Sequence, residues 1–116
     1  MSLIVIQNKK DATEIRVCVD YHNLNNACVH DLFPTPFIDE DLDNVAGNEA
    51  YSFTDGFFGY HQVRIVEEDK KKATLTMKWG SYSYHVMPFG LKNARGVFSR
   101  IVISTFIGYI HRFLEV

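Results

Sequence analysis

In the stretch FTDGFFGYHQ, residues 53–62, a single carboxylate, Asp55, lies among apolar and glycine positions. An aspartate there has two uses. Before Gly56 it can cap a turn, because its short side chain bonds to nearby backbone amides. It can equally hold a divalent metal, since Mg2+ takes oxygen ligands, usually one or two carboxylates together with phosphates. No second Asp or Glu follows at a diagnostic spacing on the same strand, so the local residues leave both uses open.

Other groups with reactive side chains are less suggestive. Cys18, His22, Cys28 and His30 have the spacing C-x3-H-x5-C-x-H, which does not match structural zinc sites. Gly56 and Gly59 lack the spacing and the following Lys-Ser/Thr of a phosphate loop. Ser52 and Ser99 stand in no nucleophile elbow. Lys70-Lys71-Lys72 reads as a solvated turn, and Trp79, Tyr82 and Tyr84 as a sheet face rather than a base-stacking platform.

The elements that must position Asp55 follow from periodicity. Leu3 to Gln7 and Glu14 to Asp20 are Val- and Ile-rich runs about the polar Asn8-Lys9-Lys10-Asp11, a hairpin pattern. Residues 21–36, with three asparagines and two prolines, read as loop. Pro36 can open a helix to about Val45, with Ile38, Leu42 and Val45 on one face and Gly47 as its stop. Tyr51 to Asp55 and Gln62 to Val66 are strand candidates. Ala73 to Lys78 and Tyr82 to Met87 form a second hairpin about Trp79-Gly80-Ser81. Beyond Pro88-Phe89-Gly90, apolar residues recur at helical spacing from Phe98 to Phe113, which predicts one helix from Asn93 to Phe113 of about 30 Å. The order is that of an α+β chain.

With 116 residues, 47% of them hydrophobic, the chain suits one domain with a core. The apolar start Leu3 to Ile6 is too short for a signal core, and no apolar run approaches a membrane span. With two cysteines and no signal peptide, a soluble protein of a reducing, intracellular compartment is expected. The net charge of −2 hides an asymmetry: Asp20 to Asp69 holds eleven acids and one base, whereas Lys70 to Leu114 holds eight bases and no acid. A basic half can face a polyanion, or it can pack against the acidic half.

Several stretches are familiar together. Arg16-Val17-Cys18-Val19-Asp20-Tyr21 with Leu24-Asn25 resembles the fingers motif of retroelement reverse transcriptases. YSFTDGFFGYHQVRI resembles their first catalytic motif, and VMPFGLKNA, Val86 to Ala94, their next, followed by Phe98. The order and spacing are similar to the reverse transcriptases of gypsy-type long-terminal-repeat retrotransposons, from about Val5 to Val116. The resemblance implies part of the fingers and palm, antiparallel strands with one long C-terminal helix, in a single region 1–116.

It also implies roles. Enzymes of this kind add deoxynucleotides to a primer on an RNA or DNA template, using metal ions held by carboxylates. Asp55 matches the first metal-binding aspartate, with Mg2+ as the implied ion. Tyr60 matches the aromatic gate beneath the sugar. Arg16 matches the arginine that grips the triphosphate, a task suited to a planar, permanently charged fork. Phe89 and Gly90 match positions lining the nucleotide pocket, with Gln62 in support. Lys70, Lys71, Lys72 and Lys92, in the basic half, would meet nucleic-acid phosphates. Phe58 stands where such enzymes usually have serine, His22 where they have arginine, and Arg95 where they have proline or glycine. Their aromatic-x-Asp-Asp element does not occur before Val116, and the thumb, connection and RNase H regions are likewise outside the sequence. The expectation is therefore a truncated fragment, inactive alone. The alternative is a non-catalytic nucleic-acid-binding or interaction module derived from a retroelement.

Overall fold

The structure is a computed structural model that describes residues 2–8, 15–34 and 37–116, without the side chains of Asn8 and Arg16. Strands β1 (Leu3–Asn8) and β2 (Ile15–Asp20) pair antiparallel, with Leu3 opposite Asp20 and Asn8 opposite Ile15. Their Val and Ile content suits an extended backbone, as the sequence pattern predicts. The turn between them lies outside the described residues.

The first departure follows at once. Residues 22–27, expected as loop, form the short helix α1 (His22–Ala27). The Asp20 carboxylate accepts the His22 N–H at 2.8 Å and so holds a helix-opening amide that has no partner within the helix. Helix α2 (Ile38–Val45) agrees with the predicted face and stop, although Pro36 is outside the described residues. Asp39, Glu40 and Asp41 sit in its first turn, where negative charge suits the helix dipole, and Gly47 follows at φ +106°.

Tyr51 to Asp55 is not a strand. It runs as irregular chain, since among the described residues no partner strand lies beside it to take up its backbone groups. Gly59–Gln62 is a single 3-10 turn. The strand expected from Gln62 to Val66 shrinks to a pairing of Arg64 with Val86, flanked by Met87 N–H to the Val63 carbonyl at 2.8 Å and Ile65 N–H to the His85 carbonyl at 3.0 Å. One helical turn, α3 (Glu67–Lys70), leads into the hairpin β3 (Thr74–Met77) and β4 (Gly80–Ser83). Met77 faces Gly80, so the turn residues are Lys78 and Trp79, and the glycine opens the returning strand. Ser2 pairs in parallel with Leu75 and brings the two hairpins together.

The last helix is shorter than expected. Helix α4 (Ala94–Phe106) has 13 residues, about 20 Å rather than 30 Å. Near its end the Ser104 and Thr105 hydroxyls both bond to the Ile101 carbonyl, at 2.9 and 2.7 Å. Such side-chain bonds, the β-branched Ile101-Val102-Ile103 and the nearby Gly108 all weaken a helix. The chain then turns, with Ile110 bridging to Leu114.

Helices and antiparallel strands thus mix as expected of an α+β chain. The core is small: Tyr21, Ala73, Leu75, Met87 and Ala94 are its buried apolar residues among those described. Gly96 lies against residues 31–33, where a Cβ would meet Asp31 Oδ2 at 3.5 Å and Phe33 Cβ at 3.6 Å, and Arg100 secures them. Its guanidinium forks onto Asp31 at 2.8 and 2.9 Å and lies 4.8 Å from the centre of the Phe33 ring. No helix among the described residues is long and apolar enough to cross a membrane.

Much apolar surface stays uncovered, including Leu3, Ile6, Ile15 and Val17 on the first hairpin and Phe106, Tyr109 and Phe113 beyond α4. The accessible surface is 9685 Å² for 13.4 kDa, against roughly 6,500 Å² for a compact monomer of that mass. The radius of gyration is 17.5 Å, against about 13 Å. Exposed patches of this size drive association. In isolation the chain is expected to bind an environment-sensitive apolar dye and to elute as concentration-dependent oligomers. A dye-silent monomer on size exclusion overturns that expectation.

Candidate nucleotide and nucleic-acid site

Asp55 lies exposed in the irregular segment before the 3-10 turn, where its carbonyl accepts the Phe57 N–H at 2.9 Å. The chain then reverses at Phe58, whose φ of +49° is a left-handed conformation that L side chains rarely adopt. Gly59 N–H closes the turn onto the Gly56 carbonyl at 2.8 Å. Gln62 reaches back, its Nε2 donating to the Phe57 carbonyl at 2.9 Å. That bond braces the loop that carries Asp55.

The fold brings the second motif to the first. The Phe89 ring centre lies 5.2 Å from that of Tyr60 and 5.3 Å from that of His61, and Tyr60 meets Phe98 of α4 edge-on at 5.5 Å. A cavity of about 440 Å³ opens there, lined by Asp55, Tyr60, Phe89 and Phe98 among others. A second, of about 670 Å³, lies between β2 and the Pro88–Gly90 turn, with Val17, Phe58, His61 and Tyr84 on its walls. Phe58 and Phe89 line both. Phe58 is 54% exposed and stacks on His61 at 5.6 Å, so the residue that departs from the familiar pattern lies at the junction of the two cavities.

The remaining predicted residues divide. Arg16 sits in β2 opposite Gln7, and its side chain is outside the described atoms. Gly90 adopts φ +94°. Lys70 is half-buried and pairs with Glu67, and Lys72 pairs with Asp69. These contacts hold the Glu67 carboxyl below its usual range and the Lys72 ammonium above its own. Lys71 and Lys92 are exposed. Lys92 lies 22 positions past Lys70 and lines a different cavity, with His30 and Arg95. Two of the four lysines are thus engaged by acids of their own helical turn, a pairing the i,i+3 spacing of EEDKKK already permits.

Among the described residues no three of His, Cys, Asp and Glu gather to hold a metal ion. Asp55 is the one carboxylate lining either cavity beside it, and a Mg2+ shell needs further oxygens. The described residues therefore do not compose a complete metal site.

The family described as reverse transcriptase (RNA-dependent DNA polymerase) matches residues 7–115. The chain belongs to the reverse transcriptase family. It is 33% identical over 102 residues to an RNA-directed DNA polymerase homolog of Oenothera berteroana, covering 88% of this chain and 72% of that protein. It is 36% identical over 99 residues to the retrovirus-related Pol polyprotein from transposon 297 of Drosophila melanogaster, and 33% over 85 residues to that from transposon gypsy. Those matches cover 83% and 73% of this chain but 9% and 8% of the polyproteins. The reverse transcriptase chain thus spans less than a tenth of the length of these two relatives. The resemblance to gypsy-type elements read from Arg16, Asp55 and Phe89-Gly90 agrees with this membership.

Proposed function

We propose that this chain forms the nucleotide-facing part of a retrotransposon reverse transcriptase, with β1 and β2 belonging to the fingers and the Asp55 loop and α4 to the palm. One observation carries the reading: Asp55, Tyr60 and Phe89, from two separate motifs, line a single cavity. In it Asp55 would supply one carboxylate toward Mg2+, an ion that would need further oxygen ligands and would neutralise phosphate charge. Tyr60 offers an aromatic face beneath the sugar, and Phe89 and Gly90 wall the nucleotide. Arg16 grips the triphosphate, Gln62 holds the loop, and of the four lysines Lys71 and Lys92, which pair with no α3 acid among the described residues, meet a template–primer.

With Asp55 as the single carboxylate at the two cavities that Phe58 and Phe89 share among the described residues, the chain alone is expected to bind without extending a primer. It should bind an RNA–DNA hybrid with an affinity that falls as salt rises, the slope counting phosphate contacts. Full-length product from an RNA template with Mg2+ and deoxynucleotides would show that the isolated chain is a complete polymerase. Salt-independent or absent hybrid binding overturns the nucleic-acid role. Tyr60→Ala is expected to cut the preference for dCTP over CTP about tenfold, since shape contacts of this kind discriminate by one to two orders of magnitude. Unchanged competition between the two nucleotides removes Tyr60 from the site.

The alternative, a nucleic-acid-binding module without catalysis, shares the salt dependence. It predicts equal binding of dCTP and CTP by the unsubstituted chain, or of neither.

A further inference from the structure

The Phe89–Lys92 turn has a support that motif order does not reveal. Asn25 reaches it from α1, 65 positions away. Its Nδ2 donates to the Gly90 carbonyl at 2.8 Å, and its Oδ1 accepts the Lys92 N–H at 2.8 Å. Both ends of one carboxamide thus serve one turn, as a neighbouring strand would. Asn25 is itself anchored, its own N–H donating to the Tyr21 carbonyl at 2.7 Å. Tyr21 lies directly against Gly90: a Cβ on that glycine would meet Tyr21 Cδ2 at 3.6 Å and the Val19 carbonyl oxygen at 3.7 Å. Gly90 is therefore placed by a buried ring on one side and by Asn25 along its backbone.

We propose that Asn25 is a positioning residue for the nucleotide site, fixing the Gly90 carbonyl and Lys92 amide so that Phe89 stays against Tyr60 and His61. This rests on the nucleotide-site reading above. Asn25 is not among the residues that line the two cavities, and acts through the backbone of the turn. A second asparagine supplies a control. The Asn93 carboxamide makes the same kind of clasp, accepting the Asp31 N–H at 3.0 Å and donating to the Val29 carbonyl at 2.8 Å, but it ties down residues 29–31 instead of Gly90.

The test uses the 116-residue chain, with amide hydrogen exchange at Lys92 and the dissociation constant for dCTP with Mg2+ as readouts. Asn25→Ala is expected to speed Lys92 exchange and to weaken dCTP binding, each about tenfold, the factor that one to two lost hydrogen bonds convert to. Asn25→Leu, similar in bulk, gives the same result if hydrogen bonds rather than volume matter. Asn93→Ala is expected to lower the melting temperature comparably while leaving both readouts within about twofold. The proposal is overturned if Lys92 in the unsubstituted chain exchanges like an unstructured amide, if both Asn25 variants leave it protected, or if Asn93→Ala weakens dCTP equally. Absence of dCTP binding by the unsubstituted chain overturns the nucleotide-site reading instead, and Lys92 exchange then still decides whether Asn25 holds the turn.

Discussion

Gly59→Ala is expected to lower stability by about 2 kcal/mol, within the range for forcing a methyl group into a filled space. A Cβ at Gly59 would lie 2.6 Å from Phe98 Cζ and 2.8 Å from Cε2, inside van der Waals contact. Gly56 bounds the same ring edge, where a Cβ would already lie 3.3 Å from Cζ, and Tyr60 meets the ring edge-on. Relief means turning the ring into the cavity it lines or moving the 3-10 turn off α4, and either changes the cavity beside Asp55. Denaturant midpoints of Gly59→Ala, Phe98→Ala and the double variant measure this. A clash at the ring predicts that the two substitutions cost much less together than the sum of their separate costs. A loss below about 0.5 kcal/mol for Gly59→Ala, the size typical of neutral surface changes, means that the ring is not held there.

Tyr21→Phe should act in the opposite direction. Tyr21 is 2% exposed, and its hydroxyl is buried with no hydrogen-bond partner among the described residues. Burial, with a smaller contribution from Tyr84, pushes its pKa up from 10.0 to about 12. The folded state keeps the phenol protonated where the unfolded chain has ionised it, so it binds more protons between those two values. Stability from this group is complete below pH 10 and is lost as pH rises toward 12. The loss is on the order of 1 kcal/mol. Tyr21→Phe should flatten that alkaline slope. At neutral pH it should stabilise the chain by about 1 kcal/mol, because an unpaired buried hydroxyl no longer has to be desolvated. Urea midpoints at pH 7, 10 and 11 for both chains test this. Parallel pH profiles would show that Tyr21 ionises equally in both states.

Both predictions depend on neighbours distant in sequence, and that separates what was legible from what was not. The β1–β2 hairpin was readable because alternating Val and Ile state a strand locally. Helix α2 was readable from the spacing of Ile38, Leu42 and Val45 and from Gly47 as its stop. Helix α1 was not: asparagines favour loops, and these helical residues are fixed by the Asp20 carboxylate at the start and by the Gly90–Lys92 turn across the fold. The Tyr51–Asp55 strand failed for the converse reason. Its composition suits extension, but a strand exists only where another backbone takes up its bonds. Helix α4 began near the expected residue and ended early, where serine and threonine hydroxyls and β-branched side chains precede Gly108.

By itself, then, the sequence determined the family, because Arg16, Asp55 and Phe89-Gly90 stand in an order and spacing that chain connectivity preserves. It also located the acid and the aromatic residues of the candidate site. Only the tertiary structure decided how they meet: that Gly59 faces Phe98, and that Asn25 holds Gly90. Those facts depend on distances through space between residues up to 67 positions apart, and no local periodicity records them.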